Sequence, residues 1–389
     1  MIGIDSINFS TSCYYLKHQT LAKSLDVDVE KFFIGLGQYQ MGIVPPDEDI
    51  ITLGANAASR LLEHTDIQNI DHLLFATESG IDQSKAAGIY VHNLLALSPR
   101  CSVVEIKQAC YSSTAALQMA VALVRSKPSR KVLVIASDIS RYGFNKPGES
   151  SQGCGAVAML ITKNPRVLAI LPERGLYTKD IMDFWRPTYS YEPLVEGKYS
   201  EAMYYHALEQ VWRHYKDETN LKFDDQDFYC YHTPTPRIVE KAHLQLAKIN
   251  GYTLSEEECK QQLASALCYN RLLGNCYSAS LYISLISLLE QAEGDLSGAR
   301  VGFYSYGSGC VAEFFIGIIQ PSYKKMCGTF SHKNLLDSRL SISYEKYQSW
   351  YSFRLPEDGT KFVTPCSAVA ANRFRLTGIE NHKRNYARI

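Results

Sequence analysis

The stretch Cys101–Arg125 reads CSVVEIKQACYSSTAALQMAVALVR. Its opening, Cys101–Ile106, is a short apolar run with two valines and an isoleucine, the pattern of a strand. From Tyr111 to Arg125 the apolar residues return at helical spacing. Cys110 stands at the turn between the two. The alternation continues outward. His72–Thr77 (HLLFAT) reads as a buried strand and Lys85–Leu97 as a helix. Lys131–Ser137 and Ala156–Thr162 read as further strands rich in Val, Leu and Ile. Apolar strands alternating with helices predict an α/β chain with a largely buried sheet.

The second half repeats these habits. Glu201–Tyr215 carries Met203, Tyr204, Ala207, Leu208, Val211, Trp212 and Tyr215 on one helical face. Phe228–Tyr231 is a short strand. Thr235 and Pro236 then open a helix that Asn250-Gly251 closes. Ser255 with Glu258 has the form of a capping box. Ser278–Gln291 reads as an apolar helix and Val301–Tyr306 as a strand. Gly153-Cys-Gly-Ala-Val-Ala158 and Gly307-Ser-Gly-Cys-Val-Ala312 share the form G-x-G-x-V-A, each leading into an apolar strand. That echo suggests duplication, with halves at residues 1–165 and 166–389. It also removes a dinucleotide-binding reading, because that motif opens a helix.

Composition narrows the function. The chain has 389 residues, room for two or three domains or one duplicated unit. Lys plus Arg and Asp plus Glu both number 40, so a protein that coats nucleic acid loses its electrostatic basis. No long apolar run predicts a membrane span, and the first residues lack a signal-peptide layout. The 11 cysteines are odd in number and form no C-x-x-C pair. They read as free thiols in a reducing cytosol, so a cytoplasmic protein is expected. No P-loop, lipase elbow or four-ligand metal set is present.

Three segments can carry chemistry. Cys110, ahead of a helix, would feel the helix N-terminus, which stabilises thiolate. The bland alternative is a small packing cysteine, and from position alone it is the commoner case. Glu78 in Ala76-Thr-Glu-Ser-Gly80 follows an apolar strand. A dry site would raise its pKa and suit it to acid–base work; otherwise it is a turn or cap residue. His232 ends a strand before a Pro-stiffened turn, where a satisfied core histidine is the usual finding. Arg237 and Lys241 lie one helical turn apart and could meet phosphates, or simply face solvent. Ser305-Tyr-Gly-Ser-Gly309 is a tight turn, or a place where backbone N–H groups approach a ligand oxygen. A Cys/Glu/His set at strand ends suits acyl transfer through a thioester.

The segments IGLGQYQMGI, ATESGIDQSKAA, EIKQACYSSTAALQMA, SDISRYG, GAVAMLI, DFWRP, YHTPTPR, GNCYSASLYISLISLLE and YSYGSG run in order along most of the chain. Together they resemble the 3-hydroxy-3-methylglutaryl-CoA (HMG-CoA) synthase family of the thiolase superfamily. The resemblance implies a duplicated, five-layered αβαβα fold and a cytoplasmic homodimer. It implies an acyltransferase of the mevalonate pathway that makes HMG-CoA from acetyl-CoA, acetoacetyl-CoA and water, with no cofactor or metal. Cys110 is then the acetyl-accepting nucleophile, Glu78 the general acid and base, and His232 the residue that binds and polarises acetoacetyl-CoA. Tyr142, Asn275 and the Ser308 backbone belong to the substrate pocket, Asp138 and Asp183 support it, and Arg237 and Lys241 lie near CoA. A related branch performs the same condensation on acetoacetyl groups held by an acyl carrier protein. IGLGQ, DFWRP and the basic Arg237 favour the CoA-dependent form. Thr235-Pro236 departs from the aromatic-then-small pair expected there, and so bears on how the acetoacetyl side is gripped.

Overall fold

The computed structural model describes residues 1–65, 67–327, 331–367 and 373–389. One mixed sheet system runs through it in nine strands. Their order begins at the edge strand Ser102–Ile106, followed by His72–Ala76, Val132–Ile139, Cys154–Lys163 and Ile2–Ser10. It continues with Leu168–Thr178, Val311–Ile319, Arg300–Gly307 and Phe228–Tyr231. The two sets of strands are paired at Gly3–Ala169 and Ile4–Leu168. On either side of that seam the pattern repeats. Ile2–Ser10 runs antiparallel to Cys154–Lys163 as Leu168–Thr178 does to Val311–Ile319. Val132–Ile139 and Arg300–Gly307 each lie between an antiparallel and a parallel neighbour. The duplication suggested by the G-x-G-x-V-A echo thus has a structural counterpart. Both copies of that motif lead into strands.

Alternation along the strands sorts the layers. Val134, Val157 and Met159 from the first set, with Val301, Phe303 and Phe315 from the second, share one core. That core holds two helices, Ser112–Ser126 and Ser280–Gln291. The intervening residues face outward. Leu133, Ile135 and Ala158 pack under Ile50–Leu61 and Ala87–Leu94. Tyr229, Tyr304 and Phe314 pack under Gly197–Thr219 and Pro236–Ile249. The layers therefore read helix, sheet, helix, sheet, helix, the thiolase-like fold. Residues Ser280–Leu289 are buried on every side, as a helix between two sheets requires. A C-terminal hairpin, Phe374–Glu380 with Lys383–Arg388, leans on the first outer helix, where Tyr386 donates to Asp49 at 2.6 Å.

Element ends differ modestly from the sequence pattern. The helix expected over 85–97 spans Ala87–Leu94, because Leu95 leaves it and Ala96 turns left-handed at φ 52°. The helix expected over 201–215 is longer, Gly197–Thr219, its ends being polar and outside the apolar pattern. Thr235 caps the helix Pro236–Ile249 by accepting from Ile238 N, and Ser255 with Glu258 forms the capping box. Leu285, fully buried in the central layer, tests the arrangement. Leu285→Ala is expected to destabilise the protein by about 2–5 kcal/mol, read as a lowered melting temperature. A change near zero would mean the two sheets do not close on that helix.

Candidate active site

The nucleophile candidate is set by its backbone. Ala109, just before it, sits at φ 44°, an unfavourable region for a residue with a Cβ. The chain bends sharply there between the strand Ser102–Ile106 and the helix Ser112–Ser126, and Cys110 projects at the bend. From the second half, the end of the strand Arg300–Gly307 comes against this bend. A Cβ on Gly307 would lie 2.6 Å from the Gln108 carbonyl oxygen, so only glycine allows the approach. Gln108 Nε2 donates to the Ser308 carbonyl at 3.2 Å, fastening the SYGSG turn to the same bend.

Cys110 Sγ donates to Glu78 Oε1 at 3.0 Å. Both residues are half-buried, with dense protein behind them. Burial, reinforced by the Asp138 charge, pushes the Glu78 carboxyl up to about 8. Burial and the facing Glu78 hold the Cys110 thiol well above its ordinary value. This differs from the sequence expectation of a thiolate made by the helix N-terminus. The thiol therefore keeps its proton at rest, and a thiolate can form only where an ionised Glu78 accepts that proton.

Asp138 organises the loop that carries Glu78. Its Oδ1 accepts from Thr77 Oγ1 at 2.8 Å and from the backbone N–H groups of Glu78 and Ser79, each at 2.9 Å. Its Oδ2 accepts from Ser278 N at 3.1 Å and from the Ser278 hydroxyl. Asp183 does similar work opposite. It accepts from Gly309 N at 2.9 Å, Tyr306 Oη at 2.8 Å and Ser200 Oγ at 3.1 Å, which ties the SYGSG turn to the DFWRP segment and the helix Gly197–Thr219.

His232 ends its strand where expected, and burial pushes its ring down to about 3, so the imidazole is neutral. Its Nδ1 is buried without a hydrogen-bond partner, unlike the satisfied histidine of an ordinary core. Its carbonyl accepts from Tyr204 Oη at 2.6 Å. Tyr204 packs edge-on against Tyr306, whose hydroxyl reaches Asp183. His232 is thus joined to the SYGSG turn through one aromatic step. On the other wall, Asn275 Nδ2 donates to Tyr142 Oη at 3.0 Å, and Tyr142 packs against Phe184 and Tyr277.

Arg237 and Lys241 lie apart from this cluster, on the helix that starts beyond His232. Arg237 pairs with Glu240 and Glu256, both at 3.1 Å, and Lys241 with Glu201 at 2.9 Å. Among the described residues, no three His, Cys, Asp or Glu side chains gather as metal ligands. Three participants escaped the sequence reading. Arg186, within DFWRP, donates to the Glu78 carbonyl at 2.8 Å. Glu313, fully buried, accepts from Tyr111 Oη and Gln118 Nε2, both at 2.7 Å, and anchors the Cys110 helix to the second half. Tyr277 stands beside Tyr142. Arg186 and Tyr277 lie inside segments singled out for other residues and Glu313 directly follows one, and none has a local pattern that marks its role.

The raised carboxyl has a consequence for stability. Between 4.5, its ordinary value, and about 8, the folded protein keeps a Glu78 proton that the unfolded chain has released. Native stability therefore drains away as pH rises across that window. Glu78→Gln removes this loss. The variant is expected to melt above the parent at pH 8, with the difference closing toward pH 4.5. A difference that instead widens in acid would contradict the raised carboxyl.

The family model for the hydroxymethylglutaryl-coenzyme A synthase N terminal region matches residues 1–166. That for the C terminal region matches 171–252 and 248–388. The chain is 43% identical to hydroxymethylglutaryl-CoA synthase of Enterococcus faecalis over 92% of its length and 93% of that protein's. It is 34% identical to the polyketide biosynthesis 3-hydroxy-3-methylglutaryl-ACP synthase PksG of Bacillus subtilis strain 168, over 89% and 87%. A crystal structure of an HMG-CoA synthase complexed with CoA superposes with a TM-score of 0.93 at 36% identity, covering 100% of both chains. With nearly its whole length matched and a Cys–Glu pair at the meeting of its two halves, the chain belongs to the hydroxymethylglutaryl-CoA synthase family.

Proposed function

We propose that this protein condenses acetyl-CoA with acetoacetyl-CoA and water to give HMG-CoA and CoA, the HMG-CoA-forming step of the mevalonate pathway. The observation that carries the reading is the 3.0 Å contact between the Cys110 thiol and the Glu78 carboxylate. The neutral His232, with its Nδ1 buried and unpartnered, and a family whose similar members make HMG thioesters add to it. The identity to the CoA-dependent relative, 43%, exceeds that to the carrier-protein-dependent one, 34%.

The steps follow from the site. Glu78 takes the Cys110 proton, and the sulfur attacks the acetyl carbonyl, so CoA leaves as its thiol once reprotonated. Glu78 then removes a methyl proton from the acetyl thioester. The resulting enolate attacks the ketone carbon of acetoacetyl-CoA. A carboxyl near 8 suits it to this exchange, because it is mostly protonated at neutral pH and keeps an ionised minority that can act as base. His232, neutral and with a free ring nitrogen, polarises the ketone, and Glu78 returns its proton to the new alkoxide. Water cleaves the thioester at sulfur, leaving a carboxylate on the product and regenerating the thiol. Each step uses only nucleophilic and acid–base side chains. Arg237 and Lys241, at the start of the helix beyond His232, are the proposed contacts for CoA phosphates. There they exchange their intramolecular carboxylate partners for the ligand.

A homodimer is proposed as well. The edge strand Ser102–Ile106 is unpaired along one side, and Val104 on it is 51% exposed. An apolar edge of that kind favours pairing with another chain. The ten cysteines with described side chains are free thiols, which fits a reducing compartment such as the cytoplasm. No described helix is long and apolar enough to cross a membrane.

The decisive assay mixes the protein with acetyl-CoA and acetoacetyl-CoA and follows loss of the acetoacetyl-CoA enolate absorbance, with HMG-CoA identified by mass. Cys110→Ala is expected to lose at least about a thousandfold in turnover, as removal of a nucleophile does. Turnover only with acetoacetyl groups loaded on a carrier protein would reassign the acceptor. Silence with both acceptors would overturn the proposed activity.

A further inference from the structure

The segment 140–143, which presents Tyr142 to the reacting pair, is held in an unusual way. Three successive peptide N–H groups donate to side chains and none to the main chain. Arg141 N donates to Tyr277 Oη at 3.3 Å, Tyr142 N to Gln152 Oε1 at 2.7 Å and Gly143 N to Tyr351 Oη at 2.9 Å. A small pocket lies behind the segment, lined by Ser140, Arg141, Gln152, Tyr347 and Tyr351 among others. Close packing is incomplete on that side, so hydrogen bonds set the position.

Tyr351 makes one of them and holds the segment by two further contacts. It is 8% exposed, near the end of the helix Tyr344–Ser352, far along the chain from every residue named in the chemistry. Its hydroxyl accepts from Gly143 and donates to Glu192 Oε1 at 3.4 Å. Its carbonyl accepts from Arg141 Nη1 at 2.8 Å, and its ring lies under the Arg141 guanidinium at 4.8 Å. Tyr347, one turn earlier, accepts from Gln152 Nε2 at 2.8 Å, so the same helix also supports the Tyr142 N–H at one remove.

Glu192 belongs to the opposite wall. It lies in the excursion built on the pair Phe184–Trp185 and Leu194–Val195. That excursion carries Arg186, which holds the Glu78 carbonyl, and Phe184, whose ring meets Tyr142 at 5.9 Å. The two walls are pressed together at Gly143. Its φ is +93°, and a Cβ there would lie 2.5 Å from Glu192 Oε2. Tyr351 stands at that junction and bonds to both sides.

We propose that Tyr351 is a positioning residue for the condensation. It clamps the Tyr142 segment to the Arg186 excursion and so fixes the wall against which the second substrate is oriented. The inference rests on the activity proposed above. Cys110 and Glu78 are themselves fixed chiefly by Asp138, Gln108 and Glu313, none of which bonds to Tyr351; the clamped excursion adds one bond, from Arg186 to the Glu78 carbonyl and not to its carboxyl group. Acetyl transfer to Cys110 therefore depends little on the clamp, whereas carbon–carbon bond formation needs two substrates aligned. Misplacement by about 1 Å is enough to cost such a step about a hundredfold.

The test separates the two half-reactions in the full-length protein. Labelled acetyl-CoA reports acetylation of Cys110, and enolate absorbance reports condensation. Tyr351→Phe is expected to acetylate within about twofold of the parent and to lose about 10- to 100-fold in condensation kcat. Glu192→Ala, which leaves the C-terminal helix intact, should fall in the same sense by less. Equal loss in both half-reactions would overturn the inference in favour of a merely structural tyrosine, and so would no loss in either. A parent enzyme that acetylates but never consumes acetoacetyl-CoA would overturn the proposed activity, and this inference with it. An active parent and an indifferent Tyr351→Phe would overturn the inference alone.

Discussion

Asp138 is a fully buried carboxylate at the end of a central strand, and the site is built around its two oxygens. One oxygen gathers Thr77 and the Glu78 and Ser79 N–H groups from the first half, and the other gathers Ser278 from the second. Burying a charge is costly unless it is saturated with donors. Here the donors come from both halves, so the cost is met only when the halves are docked. Catalytic geometry and tertiary docking are thereby made the same event.

The electrostatic consequence falls on Glu78. A charged Asp138 close by, together with burial, is what raises the Glu78 carboxyl to about 8. A carboxyl at its ordinary value would stay ionised at neutral pH and return protons poorly. The same surroundings keep the Cys110 sulfur protonated at rest. Cys110 and Glu78 are a coupled pair in which both groups mostly hold their protons near neutral pH, and a standing thiolate open to oxidation is avoided.

Around this pair the chain uses strain and close approach sparingly. Ala109 bends the backbone to project the sulfur, and Gly307 lets a strand end from the other half touch that bend. Glu313 locks the helix that follows. The C-terminal helix Tyr344–Ser352 reaches across to the Tyr142 wall through Tyr347 and Tyr351. Residues from four distant parts of the sequence thus share one cleft.

The sequence by itself determined the α/β class, the strand and helix succession, the duplicated G-x-G-x-V-A turns and the three residues put forward for the chemistry. These are local properties. Strand and helix have different apolar periods, glycine turns announce themselves, and Cys110, Glu78 and His232 each end a recognisable element. Only the tertiary structure decided the rest. The five layers follow from which strand faces share a core, and no local pattern states that Val134 and Phe303 do. The protonated thiol of Cys110 is not legible from its helix position, because the opposing carboxyl group lies 32 residues away in sequence. Arg186, Glu313 and Tyr351 stayed hidden because each acts through a contact with a segment far off in the chain. A side chain's type shows what it can do, but its partner is fixed only when the two halves close on each other.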